Sequence, residues 1–272
     1  MKPSSAIIPR TGRLKVPSGT LFWHEAGRGE TLVFLHGSWQ DSGQWLPVME
    51  AMAADYHSLA PDLIGFGESA STAPVHSVAL EVEALHTLLQ ALRISRCVLV
   101  GHSLGAWVAL RYAQNYPQQV RGLVLVEPEG WANPQTAQRW RLDRWLVSPI
   151  SPLITLAAWL GGKGRQRTWQ RRRHLLRQSP AACQMLFRRR LADIVAEQVD
   201  PNQWPQTGPI LQLMPNPPSP TEGSNLPQRP PDFTSLQTAT IPAADTPLGL
   251  AEAATITAIQ QFVATTLLTT SI

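Results

Sequence analysis

Five residues near the middle of the chain have the types and spacing for nucleophilic chemistry: Gly101-His102-Ser103-Leu104-Gly105. A serine in a G-x-S-x-G pentapeptide is placed for attack on a carbonyl when the pentapeptide follows a strand and opens a helix. The requirement is steric. The turn must lift the Ser103 hydroxyl above the carboxyl ends of the strands. Side chains two residues either side would collide, so both places take glycine. At the start of the helix, the Leu104 N–H points toward negative charge as it develops. The same pentapeptide also fits a plain strand–helix turn with an idle serine. Two further segments agree with the chemical reading. His36-Gly37-Ser38-Trp39 follows the apolar run Thr31–Leu35 and can supply the Ser38 N–H as a second oxyanion donor. Pro61-Asp62-Leu63-Ile64-Gly65-Phe66-Gly67-Glu68-Ser69 follows another strand-like run, and its glycines fit a tight turn beside the site.

Positioning these groups takes strands that end together and helices that cover them. Apolar runs predict strands at Thr31–Leu35, His57–Leu63, Arg96–Val100 and Val120–Val126. Helical spacing is found over Ser42–Tyr56, over Val78–Leu92, and over Leu104–Tyr116, where Pro117 closes the helix. Further on, Ile210–Met214 and Leu236–Ile241 read as strands and Ala251–Leu268 as an amphipathic helix. Strands alternating with helices predict an α/β fold: a mostly parallel, doubly wound sheet with helices on both faces. No repeat of fixed period is present.

The chain has 272 residues, 43% hydrophobic and 15% charged, which excludes a polar disordered tail and a bundle of membrane helices. Cys97 and Cys183 are too few for a disulfide scaffold or a cysteine-based zinc site. No HExxH or EF-hand pattern occurs, and Gly161-Gly162-Lys163-Gly164 lacks the spacing of a phosphate-binding loop. No metal and no cofactor is expected. Residues 1–15 carry no apolar run of signal-peptide length, so a cytoplasmic location is expected. The overall charge of +4 hides an asymmetry. Between Trp131 and Pro205 thirteen Lys and Arg face four acids, a net +9, and six of the ten tryptophans lie there. This composition shift divides the chain into 1–130, 131–205 and 206–272. The uncharged run 145–162 is broken by Pro149 and Pro152, which favours a buried or interfacial segment over a spanning helix. Tryptophans interleaved with Arg141, Arg144, Arg171, Arg172 and Arg173 suit either a pocket lid or peripheral contact with an anionic membrane. With no nucleic-acid fold in evidence, no nucleic-acid partner is expected.

Together the three segments at 36–39, 61–69 and 101–105 resemble the α/β-hydrolase superfamily, over Leu14 to about Gly130 and again in the last helix. The resemblance implies a core at 1–130 and 206–272, with 131–205 as a helical cap over the pocket. It implies a serine esterase- or lipase-like hydrolase acting on an ester or another small apolar or lipid-like molecule. Ser103 would be the nucleophile, and the oxyanion hole would be formed by Ser38 and Leu104. The family also needs a histidine base in the loop after the last strand. The seven histidines here stand at 24, 36, 57, 76, 86, 102 and 174, and none lies beyond His174. Ile241–Pro247 is similar to the base loop, but Asp245 and Thr246 occupy it. No aspartate follows Met214 closely, whereas Glu127 in Val126-Glu127-Pro128-Glu129 fills a second family position for the acid. Substitute bases are His174, in the basic run, and His36, on the oxyanion loop; His102 is expected to point toward the sheet. The alternative is a catalytically impaired pseudo-hydrolase that binds an apolar ligand, a partner or a membrane surface.

Overall fold

Runs of apolar residues with no polar alternation form strands buried on both faces. Three such runs build the centre of the sheet: β3 (Thr31–Leu35), β6 (Cys97–His102) and β7 (Val120–Val126). The computed structural model describes residues 9–131, 140–141, 144, 174, 179–200, 203–205, 208–216, 236–242 and 253–269. Among these, nine strands form one sheet. The others are β1 (Arg10–Val16), β2 (Gly19–Ala26), β4 (His57–Pro61), β5 (Ala70–Ser71), β8 (Ile210–Asn216) and β9 (Leu236–Pro242). The order is β1-β2-β4-β3-β6-β7-β8-β9, with β5 beside β2. From β4 to β9 every pairing is parallel, and β2 is antiparallel to β1, β4 and β5.

Strand alternation sorts the core into two layers. Val33, Leu35, Leu99, Leu123 and Leu125 face α2 (Val78–Ala91) and α3 (Leu104–Asn115). Leu32, Phe34, Val98, Val100 and Val124 face the other way, toward α1 (Leu46–Met52) and the C-terminal helix Ala253–Thr269. The helix expected over 42–56 is shorter. Asp41 caps a 3-10 turn at Ser42–Trp45, Pro47 opens α1, and the helix ends at Met52. Strand β6 runs two residues past Val100, to the brink of Ser103.

Between β7 and β8, the described residues include α4 (Pro180–Cys183), a π-helical turn at Gln184–Arg188 and α5 (Leu191–Ala196). The C-terminal helix Ala253–Thr269 is therefore α6. Glu197, just past α5, ties this segment to the core. Its carboxylate accepts two bonds from Arg189, at 2.8 and 2.6 Å, and one from the Val78 N–H at the start of α2, at 3.2 Å. Its carbonyl accepts from the Trp107 indole at 3.0 Å and from Arg111 at 2.8 Å. Trp131, Trp140 and Trp204 are buried here: Trp140 stacks on Trp107 at 5.6 Å between centroids, and Trp131 packs on Trp204 at 4.6 Å. These three tryptophans are therefore not available to a membrane surface, because indole stacking and core burial take their faces. Trp145, Trp159, Trp169, Arg171–Arg173 and the run 145–162 lie outside the described residues. Among the described residues, no helix is long and apolar enough to cross a membrane.

Candidate active site

Ser103 stands between the end of β6 and the first turn of α3, with φ 52° and ψ −110°. A non-glycine residue here is strained, and the surroundings hold it in place. Its N–H donates to the Val126 carbonyl at 3.0 Å, and its carbonyl accepts from the Trp107 and Glu129 amides, each at 3.2 Å. Both flanking glycines are required. A Cβ on Gly101 would lie 2.5 Å from the Ala106 nitrogen, and one on Gly105 would overlap the Leu35 carbonyl. β3, β6 and α3 thus meet without room for a methyl group. The Ser103 side chain is half-buried, and its hydroxyl makes no hydrogen bond among the described residues.

The loop after β3 lies against Ser103. The point where a Gly37 Cβ would stand is 3.4 Å from the Ser103 Cβ and 2.7 Å from the His102 Nδ1. Among the described residues neither the Ser38 nor the Leu104 amide has a hydrogen-bond acceptor. Two unengaged N–H groups beside a lifted hydroxyl are the arrangement that can hold an oxyanion. Ser38 is buried, and among the described residues its hydroxyl has no partner either.

The histidines do other work. His36 is fully buried, and both its nitrogens are committed. Nε2 accepts the Leu63 N–H at 2.9 Å, so Nδ1 carries the proton and donates it to the Gly37 carbonyl, also at 2.9 Å. Burial lowers its pKa. His36 thus braces the loop and has no lone pair for Ser103, which removes it as a base. His102 packs against Gly37 rather than into the sheet; its Nδ1 is buried without a partner among the described residues. Burial, and then the neighbouring His36, push its pKa down to about 4, so the ring is neutral at pH 7. His174 is exposed on a helical turn whose neighbours lie outside the described residues, as does the Asp245–Thr246 loop.

Glu127 follows β7 with φ 46°, held by its N–H to the Leu213 carbonyl at 3.0 Å. Its half-buried carboxyl makes no hydrogen bond among the described residues. Burial raises its pKa, and Glu129 adds to the effect. The turn after β4 is pinned by Asp62, whose two oxygens accept the Ser42 N–H at 2.6 Å and the Glu68 N–H at 2.7 Å. Gly65 and Gly67 take positive φ in this turn, and a Cβ on Gly67 would overlap the Asp62 carboxylate. Two buried polar residues of this neighbourhood are not expected from the sequence: Glu81, which accepts the Ile64 N–H, and His76, whose ring lies against Gly65. Among the described residues no three His, Cys, Asp or Glu side chains are grouped to hold a metal ion.

The model of the alpha/beta hydrolase family matches residues 32–264, most of the chain. The chain belongs to the alpha/beta hydrolase family. Within it, the chain is 32% identical over 161 residues to the 1-acylglycerol-3-phosphate O-acyltransferase ABHD5 of Rattus norvegicus, covering 53% of this chain and 46% of that protein. It is 36% identical over 109 residues to the pimeloyl-[acyl-carrier protein] methyl ester esterase of Vibrio atlanticus, covering 40% of each. The chain spans less than half the length of these curated relatives. A thermophilic esterase from Thermogutta terrifontis has the same fold, with a TM-score of 0.66 at 20% identity, over 94% of this alpha/beta hydrolase chain and 99% of the other.

Proposed function

We propose that this alpha/beta hydrolase cleaves an ester or a small lipid-like molecule. Ser103 attacks the carbonyl carbon, and the amides of Ser38 and Leu104 take the charge that moves onto the carbonyl oxygen. One observation carries the reading: the strained Ser103 backbone presents an unbonded hydroxyl beside two amides that have no other acceptor among the described residues. The matches to an esterase and to an acyltransferase support carbonyl chemistry of this kind. Attack requires that the Ser103 proton leave, and serine is a poor nucleophile when nothing within reach accepts it. Glu127 stands one strand over and would orient a base. The second reading, an impaired hydrolase that binds an apolar ligand, a partner or a membrane surface, is favoured by the histidine inventory. His36 is committed, and no histidine follows residue 174.

Restoring the base separates the two readings. Thr246→His, or Asp245→His beside it, is expected to raise turnover of an activated ester by on the order of 10²-fold, within the usual range for general base catalysis. Folded variants with no gain would place the pocket with the binders. For peripheral contact with anionic membrane, the support is the +9 balance of residues 131–205. Sedimentation with anionic but not neutral vesicles, weakened by salt and by Arg171→Gln, Arg172→Gln and Arg173→Gln together, is the expected result. Indifference to both vesicle types would remove the membrane role.

A further inference from the structure

Glu81 lies in the first turn of α2 and is 1% exposed. A carboxyl group buried among apolar side chains is costly, and its place calls for a reason. One oxygen accepts the Ile64 N–H at 2.9 Å, while the other is buried without a partner among the described residues. His76, also buried, packs its ring against the same turn. A Cβ on Gly65 would come within 2.6 Å of the His76 ring, so the turn is gripped closely there. The next residue toward the site is Leu63. Its N–H donates to His36, and His36 donates to Gly37, whose neighbour Ser38 carries the second oxyanion amide. An unbroken line of hydrogen bonds and adjacent peptides thus runs from α2 to the oxyanion loop.

We propose that Glu81 is a positioning residue for the oxyanion loop, acting through Ile64, Leu63 and His36 on the Gly37–Ser38 peptide. It rests on the reading of Ser38 as an oxyanion donor. Burial lifts the Glu81 pKa from 4.5 to about 8, so the side chain is the neutral acid at pH 7. It borders a cavity of about 10 Å³, whose other lining residues are apolar except Asp62. Both Asp62 oxygens are held by backbone amides, so Asp62 offers Glu81 neither a proton nor a counter-charge. Of the other titratable groups around this turn, Arg13 is paired with Glu68, and burial lowers the pKa of both His36 and His76, so none supplies Glu81 with a cation. Ionised Glu81 would stand uncompensated and draw the turn open toward water. The folded pKa is raised above the unfolded one. The contribution of Glu81 to stability is therefore fully present below about pH 4.5 and is lost as pH rises to and through about 8, where the folded group itself ionises.

The test is a pH titration of the ¹⁵N-labelled protein, of Glu81→Gln and of Glu81→Ala. In the unaltered chain the Gly37 and Ser38 amides and the His36 ring nitrogens are expected to move together, with an inflection near pH 8. Gln keeps a carbonyl oxygen for Ile64 and cannot ionise, so the inflection disappears. Ala shifts the same signals at every pH. Turnover of an activated ester at Ser103 should fall above pH 8 on the order of tenfold in kcat with little change in KM, and stay flat for Gln. Loop signals that ignore pH, or a Gln variant that keeps the inflection, overturn the proposal. If the Ala variant does not fold, the comparison with Gln decides. Coupled loop signals without any ester turnover would refute the hydrolase reading and leave the positioning role standing. Turnover without coupling would do the reverse.

Discussion

Ser103→Ala is expected to bring hydrolysis of a p-nitrophenyl ester down to the uncatalysed background. The unaltered chain should itself be slow, on the order of 10²–10⁴-fold below a serine with an aligned base, because that is the usual worth of general acid–base catalysis. What is left is attack by Ser103 without an aligned base, assisted by the oxyanion amides and substrate binding, and it goes with the hydroxyl. The substitution is clean, because the Ser103 hydroxyl has no hydrogen bond to lose among the described residues, and alanine keeps the Cβ that the φ of 52° already tolerates. Thermal unfolding of the variant should match the parent within about 0.5 kcal/mol. Fast turnover that Ser103→Ala abolishes would mean that an unrecognised base serves the site, and His102, packed beside Gly37, would be substituted next. Turnover that survives Ser103→Ala would move the nucleophile elsewhere.

Trp107→Ala should cost about 3–5 kcal/mol of stability, the range for removing a large buried aromatic. Trp107 is fully buried in α3, stacks on Trp140 at 11° between ring planes, and gives its indole N–H to the Glu197 carbonyl. Gly130, with φ 94°, lies so close that a Cβ there would overlap the indole. The ring therefore joins the core, the residue beyond β7 and the return segment at 179–200. A domain of ordinary stability has about 5–15 kcal/mol in total, so the variant should unfold at much lower urea. Trp107→Phe keeps part of the stacking and loses the hydrogen bond, and should fall between the two. A loss under about 1 kcal/mol for alanine would mean that the tryptophan cluster is not part of the cooperative core.

The parts of this molecule legible in its sequence are those fixed by local sterics and by uninterrupted apolar runs. Gly101, Ser103 and Gly105 declare the turn because no other spacing lets β6, α3 and β3 meet. The central strands read correctly because burial on both faces leaves no polar alternation to confuse with a helix. The β1–β2 hairpin does not read so easily. β1 lies at the sheet edge, mostly exposed or half-buried, and its Arg13 and Lys15 mask the alternation. Pro17-Ser18-Gly19 is the turn signal that would have found it, with Gly19 at φ 148°. Glu81 was hidden for a different reason. A glutamate in the first turn of a helix ordinarily faces solvent, and its partner here is the backbone of a residue seventeen positions earlier. The role of His36 was also out of reach, since a histidine after a strand reads equally as a base or a brace. Only the Leu63 N–H and the Gly37 carbonyl distinguish them.

The most direct measurement is mass spectrometry of the intact, folded chain after incubation with a fluorophosphonate. Such a reagent needs a serine oxygen presented to it and an oxyanion hole to receive the phosphoryl oxygen, and it tolerates slow proton removal given time. The account predicts a single adduct, located on Ser103 by peptide mapping, formed slowly and absent in Ser103→Ala. A folded chain that gains no mass over prolonged incubation, or an adduct mapped to another residue, would contradict it.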